Sequence, residues 1–187
     1  MGRCGQILFM VTMCSFVMAG ARDCEARVYL TKTKALELAF PNAETMETET
    51  IALNTEQRER IRQQAGRRLH FSKMEVHQGI ANGSVLGYAI IDNVKGKSLP
   101  ITYMVVITPQ GAVERVEILA YRESHGGEIR YPSFLKQFVA KTIADPIRNK
   151  RDIRNISGAT ISCRSISDGV RALLALWEEI YGRRNGP

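Results

Sequence analysis

The run Ser157-Gly158-Ala159-Thr160, followed by Ile161-Ser162, sets a hydroxyl behind two residues too small to shield it. Downstream, the spacing of Ile166, Val170, Leu173, Leu174, Trp177 and Ile180 predicts one helix that begins near Thr160 and ends before Gly182. Thr160 therefore belongs at a helix mouth, where unpaired N–H groups and the positive end of the backbone dipole stabilise a phosphoryl group. The chemistry expected is esterification of the Thr160 hydroxyl by a phosphate. Nothing basic adjoins Thr160 in the chain, so a hydroxyl at its ordinary pKa needs an outside enzyme to activate it. Gly158 and Ala159 would admit that enzyme and the phosphate to the backbone. Ser157, Ser162 and the first-turn amides would supply hydrogen-bond donors. The plainer alternative makes Ser157 an N-cap and Thr160 an ordinary first-turn residue.

Other chemistries find little support. His70, His77 and His125 have no Cys or His partner at ligand spacing, so no metal site is expected. The glycine patterns of nucleophile elbows, P-loops and dinucleotide-binding turns are missing from the sequence. Glu123, His125 and Glu128 sit in a Gly-containing loop, Arg122 to Tyr131, where they either line a site or are simply solvated. Cys163 reads as a small buried hydrophobe rather than a redox group. The basic residues are dispersed in groups (Arg58-Arg60-Arg62, Arg67-Arg68, Arg148-Lys150-Arg151, Arg183-Arg184) without interleaved aromatics, which favours a solvated basic face over a nucleic-acid reader.

The elements that must position these groups can be read from periodicity. Thr31 or Thr33 can cap a short helix through Phe40, with Pro41 stopping it, and Glu49 to Leu53 is a weak strand. Asn54-Thr55-Glu56-Gln57 is a capping box for a helix that reaches Ala65, where Gly66 ends it. The period then changes to two. Phe71 to Gln78 and Val85 to Ile91 flank an Asn82-Gly83 turn; Ile101 to Thr108 and Val113 to Tyr121 flank Pro109-Gln110-Gly111. A further helix is expected from Pro132 through Phe134, Leu135, Phe138 and Val139 to about Ile143. The fold class expected is α+β: an antiparallel meander of about four to five strands packed with helices, the Ser157–Thr160 run leading into the long C-terminal helix. Trp177 is read as core, and Tyr121, Tyr131 and Phe134 as core or as stacking groups at the site.

At the other end of the chain, Arg3 precedes an uncharged stretch from Ile7 to Ala19, the length of a secretory signal core and too short for a bilayer span. Residues 1–21 are expected to be a signal peptide, or else an uncleaved N-terminal anchor. Their removal takes away Arg3 and no acid, lowering the net charge from +7 to +6. The remainder divides into a helix-strand-helix lead-in, 22–70, and a main unit, 71–182. Of four cysteines, only Cys24 and Cys163 would outlast cleavage, too few for a disulfide framework.

Ile156-Ser157-Gly158-Ala159-Thr160-Ile161-Ser162 resembles the flavinylation motif of the FMN-binding domain family. That family holds the C subunit of the sodium-pumping NADH:quinone oxidoreductase, the G subunit of the Rnf complex and single-domain periplasmic proteins. Tyr121 to Glu128 looks like its acidic, Gly-containing loop, and Phe134-Leu135-Lys136-Gln137-Phe138 with Lys141 looks like its Phe-x-x-Gln-Phe helix. The resemblance implies FMN joined to Thr160 by a phosphoester bond, made by a separate flavin transferase that uses FAD and Mg. It implies a cofactor site of Thr160, Ser157, Gly158, Ala159, Ser162, Glu123, His125, Gly126 and Lys141. It further implies an electron carrier rather than a stand-alone enzyme, exported to the periplasm or the outer face of the inner membrane and fed by a membrane-bound redox donor. The alternatives are a flavin-free periplasmic binding or assembly module and a flavin-carrying component of a periplasmic reductase. Two positions depart from the family pattern. The usual Asp three residues before the motif Ser is Arg154 here, with Asp152 two residues earlier, and the Gly before the helix Lys is Ala140.

Overall fold

The computed structural model describes residues 27–67 and 69–183. The signal-like stretch 1–21, Cys4, Cys14, Cys24, Arg68 and Arg184 lie outside them. In chain order the elements are β1 (Arg27–Val28), α1 (Lys32–Ala39), β2 (Thr45–Ala52), α2 (Thr55–Ala65), β3 (Lys73–Ala81), β4 (Ser84–Lys95), β5 (Pro100–Ile107), β6 (Val113–Tyr121), the short helix α3 (Pro132–Leu135) and the long helix α4 (Thr160–Trp177). Single 3₁₀ turns flank α3 at Gly127–Arg130 and Lys136–Phe138, and α4 runs on into a π turn, Glu178–Gly182.

The strands form one antiparallel sheet in the order β1-β6-β5-β4-β3-β2. Five of them are long and β1 is a two-residue pairing on the β6 edge. The α+β meander read from the sequence is therefore the fold. Strand alternation sends Val76, Ile90, Tyr103, Val105 and Val116 to one face, under α2 and α4. Ala89, Met104, Val106 and Leu119 go to the other, where α1 covers them with Ala35, Leu36, Ala39 and Phe40. Burial on both faces explains why Tyr103–Ile107 is a continuous apolar run. The capping box forms as expected, Asn54 Oδ1 accepting from Gln57 N at 2.8 Å and Gln57 Oε1 from Asn54 N at 3.0 Å, and Gly66 ends the helix at φ +70°.

Two sequence expectations are corrected. The weak strand at 49–53 is a full edge strand, Thr45–Ala52, paired along its length with β3. It is exposed on nearly every residue, so it carries no apolar alternation from which to read its start. The helix expected to reach Ile143 stops at Phe138. There the chain turns through Ala140 at φ +64° and pairs with the start of β6, Ala140 N donating to Val113 O (2.7 Å) and Val113 N to Lys141 O (2.8 Å). Backbone pairing to a strand displaces the last turn of that helix, and Val139 is left exposed.

The end of α4 is placed by packing further along it. All six apolar residues of its predicted stripe are buried, and Gly169 lets the helix approach so closely that a Cβ there would lie 2.3 Å from Tyr103 Oη.

Candidate functional site

β4, β5 and β6 are antiparallel, so the β4–β5 turn (residues 96–99) and the segment after Tyr121 emerge at the same end of the sheet. The N-terminus of α4 arrives there too. The three meet around a cavity of about 590 Å³ lined by Lys97, Ser98, Tyr121, Glu123, Ser124, His125 and residues 158–162. Thr160 stands on its wall.

The turn before Thr160 is built for access. Gly158 has φ +82°, with nothing within 4 Å of where a Cβ would project. Ala159 is the N-cap residue, and no side chain caps the helix. Its amide is taken by Ile156 O at 3.1 Å, while no side chain takes the amides of Thr160, Ile161 and Ser162. An 18-residue helix thus presents its first turn uncapped at the cavity. Ser157 does not act as the N-cap.

Thr160 itself is held by a residue that the motif reading missed. Asn155 Nδ2 donates to Thr160 Oγ1 at 2.8 Å. Asn149 Nδ2 in turn donates to Asn155 Oδ1 at 3.1 Å and to Thr160 O at 3.4 Å. The threonine oxygen accepts one bond and keeps its own proton free. Among the described residues no carboxylate or imidazole hydrogen-bonds this oxygen, and an amide is neither acid nor base. The geometry orients the hydroxyl without activating it.

The asparagines sit on a loop, residues 140–155, that is under backbone strain and clamped from outside. Ala140, Ile147 and Lys150 all have positive φ (64°, 44° and 67°), each costing about 1 kcal/mol or more for a residue with a Cβ. Asp152 accepts from Lys141 Nζ (2.9 Å), Ile147 N (3.0 Å) and Arg148 N (2.7 Å). Burial acts to raise the Asp152 pKa, but the Arg148 amide, the Lys141 ammonium and the Ile147 amide outweigh it and hold the carboxyl below its usual range. Arg171 of α4 donates to the carbonyls of Ile143, Asp145 and Pro146. Gln137 receives Arg154 N at 2.7 Å.

The opposite wall is organised by Tyr121. Its hydroxyl donates to His125 O at 2.5 Å, so the Ser162 hydroxyl, 3.1 Å away, donates to Tyr121 Oη. This chain ties the 122–131 loop to the first turn of α4. Gly126 closes the contact: at φ +87°, a Cβ there would lie 2.7 Å from Tyr121 Oη and 3.2 Å from Ala159 Cβ. Glu123 Oε1 accepts from Ser98 N (2.6 Å) and Leu99 N (2.9 Å) and so shapes the β4–β5 turn. Burial acts to raise its pKa, and the amides of Leu99, Ser98 and Lys97 with the Lys97 charge bring it below normal.

Thr160, Gly158, Ala159, Ser162, Glu123 and His125 therefore share one cavity. Ser157 and Gly126 line an adjoining one of about 320 Å³, which shares Ser124, His125 and Gly158 with the first. Glu128 and Tyr131 face this second cavity, with Arg130 over the Tyr29 ring at 4.9 Å. Lys141 lines neither; it braces the asparagine loop through Asp152. Phe134 is buried against Phe138 and is core, as are Trp177 and Cys163, whose thiol pKa is raised by burial against two weaker backbone hydrogen bonds. Sequence reading also missed Lys97 and Ser98, although antiparallel pairing of β4, β5 and β6 brings their turn beside Tyr121.

A cavity of this size with an uncapped helix terminus and an oriented hydroxyl fits a phosphate-bearing cofactor. A family model described as FMN-binding domain matches residues 96–175, which include the first cavity. The solved structure of Shewanella oneidensis NqrC is similar over 75% of this chain and 84% of its own, with TM-score 0.54 and 14% identity. The C subunit of the Na(+)-translocating NADH-quinone reductase from Parabacteroides distasonis is similar over 68% of this chain and 77% of its own, with TM-score 0.44 and 15% identity. No curated protein gives a significant match. The first of these likenesses bears on fold alone, and the match to the FMN-binding domain rests on residues 96–175, which include those that build the cavity.

Proposed function

We propose that this protein is an exported electron carrier in which FMN is joined to Thr160 through a phosphoester. The observation that carries the reading is the Thr160 hydroxyl, held by Asn155 at 2.8 Å on the wall of the cavity and at the mouth of an uncapped helix. The phosphate would lie against the amides of residues 160–162, and the ring system would occupy the cavity between Lys97, Tyr121 and His125. The cofactor supplies the one-electron chemistry; the chain supplies attachment, orientation and a partly dry wall.

The Thr160 hydroxyl has no acid or base beside it, which supports attachment by a separate enzyme, a flavin transferase using FAD and Mg. Export is supported by the apolar stretch behind Arg3; a periplasmic or membrane-associated setting and a membrane-bound donor are part of the same proposal. Among the described residues no helix is long and apolar enough to cross a membrane.

The test is the intact mass of the protein made in a host that has the transferase, beside the Thr160→Ala variant. An addition of about 438 Da, FMN less water, is expected in the wild type alone. Wild-type protein of unmodified mass from that host would overturn the covalent reading.

A further inference from the structure

A second cavity, of about 460 Å³, lies behind the asparagine loop and is lined by Arg67, Arg148, Asn149, Arg164, Asp168 and Arg171, among others. Three elements converge on it. Arg67 follows the end of α2, Arg148 belongs to the clamped loop, and Arg164, Asp168 and Arg171 recur on one stripe of α4 at spacings of four and three. Four guanidinium groups thus surround one space with a single carboxylate among them.

Their partners are unequal. Arg171 is engaged, Nη1 with the loop carbonyls and Nη2 with Gln64 O at 2.9 Å. Arg67 Nη1 lies 3.1 Å from Asp168 Oδ2, yet this buried nitrogen makes no hydrogen bond. Arg148 and Arg164 are exposed, and among the described residues their side chains make no hydrogen bond or ion pair. Burial first, and then the charge of Arg148, lower the pKa of Arg171, against weaker support from Asp152 and Asp145. Like charges are therefore crowded here without enough countercharge.

We infer that this arginine cavity binds a phosphoryl-bearing anion. Two free planar forks, Arg148 from the loop and Arg164 from α4, match phosphate oxygens in the bidentate manner that guanidinium favours over ammonium. The space lies within the range of small-ligand pockets, about 300–1,000 Å³, and is roomier than one orthophosphate needs. The same phosphoryl chemistry is offered by a soluble diphosphate and by an anionic lipid headgroup. The cavity shares no lining residue with the one beside Thr160, and Asn149, on its wall, links the two by donating to Thr160 O.

The experiment titrates the whole purified chain with sodium pyrophosphate by calorimetry at constant ionic strength. In parallel, the protein is sedimented with vesicles of phosphatidylcholine alone or of phosphatidylcholine with phosphatidylglycerol. The Arg148→Ala/Arg164→Ala variant removes both free forks, and the Lys34→Ala/Lys136→Ala variant removes two exposed charges elsewhere. At least a tenfold loss of pyrophosphate affinity in the arginine variant, with the lysine variant unchanged, is expected for a soluble ligand. Sedimentation that requires phosphatidylglycerol and is lost only in the arginine variant identifies the headgroup as the source. Binding of neither probe, or losses equal in the two variants, overturns the proposal.

Discussion

Gln137 brackets the backbone of Arg154, its Oε1 accepting from Arg154 N at 2.7 Å and its Nε2 donating to Arg154 O at 3.4 Å. The Phe-x-x-Gln-Phe segment therefore reaches across to the chain just ahead of Asn155. The residue that departs from the family pattern is held by its main chain, and its exposed side chain is not part of that grip. Gln137→Ala is expected to cost about 1–2 kcal/mol and Arg154→Ala less than about 0.5 kcal/mol, read from urea midpoints. Equal costs for the two variants would show that the bracket is not what holds this stretch.

Asn155 positions the Thr160 hydroxyl without taking part in proton transfer. In a host with the transferase, Asn155→Ala is expected to slow the gain of flavin mass at least tenfold, roughly the value of a hydrogen bond at a reacting hydroxyl of about 1.4 kcal/mol. The melting temperature should move little, because the bond lies at an exposed surface. A time course of intact mass at wild-type speed would remove Asn155 from the site.

Gly126 and Tyr121 are predicted to be energetically coupled. Gly126→Ala forces a positive φ on a residue with a Cβ and drives that Cβ toward Tyr121 Oη, at an expected cost of about 2–3 kcal/mol. Tyr121→Phe removes the hydroxyl bonds to His125 and Ser162 and costs about 1–3 kcal/mol, but it also removes the clash. The double variant should therefore lose less than the sum, by at least about 0.5 kcal/mol in a denaturation cycle. Strict additivity would mean that the loop moves aside.

Stability should fall in mild acid. His77 is buried with Nδ1 2.7 Å from Thr48 Oγ1, and burial, then the Lys32 charge, lower its pKa against the pull of Glu75. The unfolded ring takes its proton near pH 6.5, an approximate reference value, and the folded ring only below that. Between those points the unfolded state binds more protons, so the contribution is complete above about pH 6.5 and is lost as pH falls toward the folded value. Urea midpoints from about pH 7.5 to about pH 5 should decline, and His77→Gln should flatten that decline. An unchanged slope in the variant assigns the effect to another group.

Most of the scaffold was legible because its signals are local. The Asn54 capping box, the Asn82-Gly83 turn and the apolar stripe of α4 each act over a few residues, and each forms as read. The Ser157–Thr160 run lies along the two cavities described above. What escaped depends on contacts distant in sequence. The helix after Pro132 ends early because Val113, some 27 residues before Ala140, takes up its backbone. Asn155 and Asn149 matter through a loop whose shape is imposed by Lys141, Gln137 and Arg171, and no periodicity records that. Lys141 was expected beside the cofactor because of its place in a motif, and its ammonium is instead spent on Asp152.

Gly158 has open space around the position of a Cβ and a φ of +82°. Its requirement is thus one of handedness rather than of room: the space where an L side chain would project is open, and the strain of placing one there comes from the backbone torsion alone. The entrance to Thr160 is guarded by chirality, and size is free to be used by whatever approaches from outside.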